Sequence, residues 1–169
     1  MPLTRAQLFS RLDELGIKTT TVEHEPVFTV SESDALHREI DGGHTKNLFL
    51  KDAKGRLWLV VAEAHTEIDL KTLPKVIGSA RLSFGKAELL MEVLGVTPGS
   101  VTALAIVNDT THRVSVVVDA RLMGYDLINC HPLENTATTS IGRDDLLRFM
   151  EACGAKPRVL PLTGEAAGN

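Results

Sequence analysis

Apolar residues recur at helical spacing through Leu8, Phe9, Leu12 and Leu15, behind Thr4 and Gln7, which stand three apart as in a capping box. The spacing predicts an amphipathic helix that ends at Gly16. Residues 17–22 are rich in β-branched side chains and predict a strand, and Pro26 in "HEPVFT" interrupts any ladder that follows. Ser31 and Asp34 mark a second helix start, ending before the Gly42-Gly43 pair. From Thr45 the pattern alternates: "TKNLFLKD", the turn "AKGR" and "LWLVVA" predict a hairpin with a four-residue loop. "EIDLKTLPKVIG" and "SFGKAELLMEVLG" predict two short helices separated by a strand in "ARLSF", with Ser83 as the cap of the second and Gly95 as its stop. "VTALAIVND" and "RVSVVVD" predict a second hairpin around "TTH", and "YDLINCHP" with "TATTSI" a third pair of strands. Residues 144–153 read as a last helix, "PRVL" as a short strand and "TGEAAGN" as a frayed tail. Hairpins mixed with helices predict an α+β fold around a mixed, mostly antiparallel sheet, with one domain over 1–162 and a flexible tail over 163–169.

Composition supports a globular domain and removes several classes of function. At 169 residues, 43% apolar and 24% charged, the chain is neither disordered nor fibrous. No apolar run approaches the roughly 18 residues of a membrane span, and residues 1–14 lack a signal-peptide layout, so a cytosolic protein without a membrane partner is expected. Cys130 and Cys153 are read as reduced thiols. The six histidines show no HxH or HxxxH spacing, and neither a metal nor a cofactor is expected.

The net charge of −4 hides a segregation. Residues 46–86 carry eight Lys/Arg against four Asp/Glu, whereas 1–45 carry four against eight and 87–169 six against ten. Such a middle segment suits a few phosphate contacts and is too small for a salt-resistant general DNA binder.

The chemistry gathers around "TKN". Alternation sets Lys46 on one face of its strand with Leu48 and Leu50, and Asn47 on the other with Phe49. The lysine either snorkels past the core or is aimed into a cleft. Gly42 and Gly43 permit close backbone approach, and an ammonium beside an amide suits an oxyanion or a phosphate. Gly99-Ser100 in "VTPGS" is a turn that could offer N–H groups to an anion. His131, held extended by Pro132, is either a structural hydrogen-bonder or a group titrating near neutrality, and its neighbour Cys130 points the opposite way, which disfavours a Cys-His nucleophile. P-loop, Rossmann and Gly-x-Ser-x-Gly signatures are absent.

"HEPVFTVSES" (24–33), "TKNLFLKD" (45–52), "SFGKAELLMEVLGVTPGSVTALAI" (83–106) and "VVVDARLMGYDLINCHPLENTATTSI" (116–141), in this order and spacing, closely resemble the YbaK/ProX family of aminoacyl-tRNA deacylases, relatives of the editing domain of prolyl-tRNA synthetases. The Lys-Asn pair and "CHP…NTAT" resemble its ProX branch. That resemblance implies a partial barrel flanked by helices, no metal or cofactor, and hydrolysis of alanine mischarged on proline tRNA. It implies Lys46 and Asn47 as catalytic residues, and His131, Gly99, Ser100 and Thr45 as substrate-binding residues. The implied partner is the acceptor end of tRNA(Pro), met by the basic middle segment, with prolyl-tRNA synthetase as a further possible partner and the oligomeric state left open. The alternatives are cysteine as the hydrolysed amino acid, a non-catalytic module that binds aminoacyl-tRNA or amino acid, and a small DNA-binding regulator, the last disfavoured by acidity and by the lack of a basic recognition helix.

Overall fold

The amino-terminal capping box forms as its spacing predicts. In a computed structural model, which describes residues 2–26, 35–36 and 39–162, Thr4 Oγ1 accepts the Gln7 N–H at 3.2 Å and Gln7 Oε1 accepts the Thr4 N–H at 2.9 Å. Helix α1 (Arg5–Glu14) buries Leu8 and Leu12, and Gly16 follows in the left-handed region at φ +72. The helix start read at Ser31 and Asp34 and the tail 163–169 lie outside the described residues.

Among the described residues eight strands follow: β1 (Thr19–Glu23), β2 (Gly43–Asp52), β3 (Leu57–Glu63), β4 (Leu82–Phe84), β5 (Val114–Asp119), β6 (Leu127–Cys130), β7 (Ala137–Gly142) and β8 (Arg158–Leu160). They form one mixed sheet in the order β1-β7-β6-β2-β3-β5-β8, with β4 added beside β2. The β1–β7, β6–β7, β2–β3 and β2–β4 pairings are antiparallel, and β2–β6, β3–β5 and β5–β8 are parallel. Helices α2 (Leu73–Ile77), α3 (Ala87–Leu94) and α4 (Arg143–Ala152) complete the α+β architecture.

The sheet is buried on both faces. Phe49, Leu57, Leu59 and Val61 point into one core with Leu8 and Leu12 of α1, Leu90 and Leu94 of α3, and Phe149 of α4. Leu50, Trp58, Val60 and Ala62 point into a second with Leu73 and Ile77 of α2. Every residue of β3 is buried, which is why "LWLVVA" shows an apolar run without alternation. Each such side chain contributes roughly 1.5–3 kcal/mol through burial.

Three local expectations are corrected. "VTALAIVND" forms no strand: Ala103–Asn108 is a 3₁₀ helix whose first five residues are buried, with the Leu104 N–H reaching Thr102 Oγ1 at 3.3 Å. An unbroken apolar run fits a buried helix as well as a buried strand, and both edges of β5 are already taken by β3 and β8, so no second hairpin can close. Ser83 does not cap α3. It lies in β4 opposite Lys51, and the helix begins after Lys86 with no side-chain cap. The helix expected over 67–78 is confined to Leu73–Ile77, with Pro74 in its first turn.

One feature of β2 positions the candidate site. On the edge away from β3, β6 pairs only with Gly43 and His44, and β4 only with Leu50 through Asp52. The sheet forks here, and Gly42 and Gly43 hold the root of the fork. A Cβ at Gly42, which sits at φ +107, would lie 2.7 Å from Leu127 O, and one at Gly43 would lie 2.6 Å from the Tyr125 ring. At the far end Gly85 packs on Phe49, where a Cβ would fall 2.3 Å from the ring. Gly85→Ala is therefore expected to destabilise the protein by about 1–3 kcal/mol, read as a lower urea midpoint with unchanged m-value.

Candidate functional site

Hydrogen-bond direction along β2 decides what the fork offers. The Asp52 N–H donates to Arg56 O and the Ala64 N–H to His44 O, so even-numbered residues of β2 direct their main-chain groups at β3. Odd-numbered residues face the other edge, as the bonds from Gly85 N–H to Phe49 O and from Ala53 N–H to Arg81 O require. Asn47 thus turns its N–H and C=O into the stretch that neither β6 nor β4 covers, and they meet no main-chain partner there among the described residues. Its side chain deepens the effect. Asn47 Nδ2 lies 3.4 Å from Thr45 Oγ1, while Oδ1 is buried with no hydrogen-bond partner among the described residues. A buried oxygen left so costs about 1–3 kcal/mol, which a donor on a ligand would offset.

Lys46 is half-buried opposite Ala62, whose methyl leaves room for the lysine stem. It lies on the face of the second core with Leu48 and Leu50, whereas Asn47, opposite Val61, lies on the face of the first. The pair straddles the strand, as a period of two demands. Lys46 makes no ion pair or side-chain hydrogen bond among the described residues. Thr45 Oγ1 donates to Asn129 O at 2.8 Å and ties the root of the fork to β6.

Beyond β6 the chain turns through residues 131–136 into β7. The His131 Nδ1–H donates to Ala137 O at 3.1 Å, so the neutral ring carries its lone pair on Nε2. Leu133 holds a left-handed φ of 70 and packs on the first core, a strained conformation that the surrounding structure must enforce. The same loop reaches the Pro98–Ser100 turn, where a Cβ at Gly99 would sit 3.4 Å from Asn135 Nδ2. Gly99 is exposed. Ser100 is buried, and its N–H is taken by Thr97 O at 2.9 Å, so of the two N–H groups expected at this turn only that of Gly99 is unused among the described residues.

The Thr45–Asn129 bond joins β2 to β6, and the loop that follows β6 brings Asn135 beside Gly99 of the turn. Sequence reasoning missed Asn129 and Asn135. Asn129 is buried, donates to Asp41 O at 2.9 Å and accepts from Ser140 Oγ, fixing the entry to β2. The one available signal was an amide on either side of "CHP". Two cavities of about 330 and 580 Å³ lie elsewhere, one near Arg56, His112 and Arg158 and the other between β4 and α3, and none of the six expected site residues lines either.

Burial holds the His131 pKa below the usual imidazole value; the bond to Ala137 O opposes the shift and nearby His24 adds to it. A lowered histidine pKa means stability that is full above the unfolded value of 6.5 and is lost as pH falls towards the folded value. His131→Gln is expected to flatten the decline of the thermal midpoint below pH 6.5, measured by circular dichroism at stepped pH. Burial also pushes the Cys130 thiol up to about 12, so no thiolate nucleophile forms beside His131.

A family model described as aminoacyl-tRNA editing domain matches residues 24–149, well over half of the chain. The chain belongs to the aminoacyl-tRNA editing domain family. It is, with that family, an editing enzyme. Among its relatives, the prolyl-tRNA editing protein ProX of Acetoanaerobium sticklandii is 42% identical over 148 residues, covering 87% of this chain and 90% of that one. Prolyl-tRNA synthetase associated domain-containing protein 1 of Danio rerio is 40% identical over 158 residues, covering 92% and 86%. A crystal structure described as that of a candidate trans-editing enzyme for prolyl tRNA synthetase shares the editing-domain fold, with a TM-score of 0.69 at 20% identity over 95% of this chain and 99% of the other. Among the described residues of this editing domain, no helix is long and apolar enough to cross a membrane.

Proposed function

We propose that the protein acts in the cytosol as a free-standing hydrolase for alanine mischarged on proline tRNA, adding water across the ester to release alanine and intact tRNA. The observation that carries this reading is Asn47 at the fork, whose main-chain N–H and C=O are uncommitted and whose buried Oδ1 is unpartnered among the described residues. An aminoacyl ester complements all three groups. Its α-ammonium donates to Oδ1 once the Asn47 amide turns towards the fork, its carbonyl oxygen accepts from the N–H as charge builds in the transition state, and the C=O orients the attacking water. Preorganised donors of this kind contribute about 3–4 kcal/mol each. Lys46, on the other face of β2, adds positive charge by reaching past the uncovered edge, on the oxyanion or on the terminal phosphate and ribose. His131, through Nε2, accepts from the ribose hydroxyl, and the turn at Gly99 and Ser100, with Thr45, walls the amino-acid end.

The amino acid is selected by exclusion. A synthetase pocket made for proline cannot strongly reject alanine, because each methylene is worth only roughly 1–3 kcal/mol. A second, smaller site admits alanine and leaves the prolyl ring outside. Support for proline tRNA as the carrier comes from the names of the relatives, a prolyl-tRNA editing protein and a prolyl-tRNA synthetase associated protein.

The test charges tRNA(Pro) in turn with alanine, cysteine, serine and proline and follows loss of each ester. Alanine is expected to be released fastest and proline to be retained. Release of cysteine with alanine retained would transfer the activity to the other substrate, and retention of all four with tRNA bound would leave a binding module.

A further inference from the structure

The larger cavity opens on the edge of β2 that carries the fork. It occupies about 580 Å³ between β4 and α3 and is lined by Lys51, Arg81, Phe84, Lys86 and Glu88 among others. Two independent features mark it. Phe84 is 64% exposed, the most exposed large apolar side chain among the described residues. Lys51, Arg81 and Lys86 are exposed and have no ion pair among the described residues, whereas two of the three acids in the lining are committed: Glu92 pairs with Arg113 at 2.7 Å and the Asp52 carboxylate turns inward to Trp58, which leaves Glu88 as the one uncommitted acid of the lining against three cations. A flat apolar ring surrounded by free cations fits a single nucleic-acid strand, whose bases stack and whose phosphates pair.

The position relative to the fork fits the same occupant. Lys46, Leu48 and Leu50 share one face of β2, Phe84 of β4 stands opposite Leu50 on that same face, and the bond from Gly85 N–H to Phe49 O marks where the fork ends and the β4 side begins. From Lys46 to Leu50 is about 13 Å at the usual strand rise, the span of about four stacked nucleotides at roughly 3.4 Å each. A strand whose terminal ribose sits in the fork therefore carries its preceding nucleotides over Phe84.

We infer that the groove between β4 and α3 seats the unpaired 3′ strand of the tRNA, with Phe84 as its stacking platform and Lys51, Arg81 and Lys86 on its phosphates. This rests on the fork as the ester site, and it assigns to four residues a task that the basic middle segment carries only as an average. Contacts to stacked faces and phosphates position the strand without reading its sequence.

The experiment measures binding of an uncharged tRNA(Pro) acceptor minihelix with its 3′ strand intact, and of the same minihelix trimmed to a blunt duplex, by fluorescence anisotropy across a salt series. The intact form is expected to bind about tenfold tighter, and Phe84→Ala and Phe84→Leu to erase that preference. Lys51→Ala and Arg81→Ala are each expected to reduce the slope of log K against log salt by about 0.7. On charged tRNA, Phe84→Ala should raise KM about tenfold while kcat changes less than about twofold. Equal binding of intact and trimmed forms, or a Phe84→Ala protein with the wild-type preference and KM, would overturn the groove assignment. A wild-type protein that prefers the intact strand but releases no amino acid would instead count against the hydrolase and leave the groove in place.

Discussion

Lys46→Ala is expected to lower kcat/KM for alanyl-tRNA(Pro) by about 10²- to 10³-fold while the thermal midpoint stays near that of the wild type. The fold should tolerate the change because the ammonium holds no partner among the described residues and the opposite residue, Ala62, needs only the stem beside it. Activity should not tolerate it. Lys46 is the cation issuing from the stretch of β2 that, among the described residues, has no strand on its outer edge, and a charge there acts on whatever anion the fork receives. A loss confined to kcat places the ammonium on the oxyanion, and a loss confined to KM places it on the phosphate or ribose. Lys46→Arg would separate charge from shape, since a planar fork of donors replaces a compact ammonium.

Asp52→Ala is expected to cost about 2–4 kcal/mol of stability, among the largest single effects available outside the core. The carboxylate is buried at the hairpin turn and accepts from the Lys54 N–H at 2.9 Å, the Arg56 N–H at 3.0 Å, Trp58 Nε1–H at 3.2 Å and the Ala80 N–H at 3.3 Å. Removing it leaves these donors unanswered, with the indole of a fully buried Trp58 among them. Burial by itself would raise the Asp52 pKa, but the bonds from Trp58, Arg56, Ala80 and Lys54 outweigh it and hold the group below its usual 3.8. A lowered carboxylate pKa contributes stability that is present above 3.8 and lost as pH falls through the folded value. Urea melts of the wild type should therefore weaken in that acid range by more than those of Asp52→Ala.

What the sequence made legible was local. Thr4 with Gln7, the loop between Asp52 and Leu57, and the stop at Gly95 are each decided within a few residues, and each appears as read. The placement of Lys46 and Asn47 on opposite faces follows from alternation alone, and the register against Ala62 and Val61 bears it out. Pairings between distant segments were hidden. β2 meets β6 more than eighty residues later, at only two positions, and meets β4 through only three, so the fork depends on where two long-range registers end. Residues 103–108 were misread because an apolar run with both possible partner edges occupied carries no periodic mark of its helical state. Asn129 and Asn135 act through main-chain groups and a close approach that no spacing announces.

In the proposed function the opening in β2 receives the aminoacyl end of the tRNA. The most direct measurement is a nuclear magnetic resonance titration of the ¹⁵N-labelled protein with a non-hydrolysable amide analogue of 3′-alanyl-adenosine. The largest shifts are expected at the Asn47 main-chain N–H, the Asn47 side-chain amide and the His131 ring. Shifts confined to the cavity around Arg56, His112 and Arg158, with Asn47 unmoved at saturation, would contradict the account.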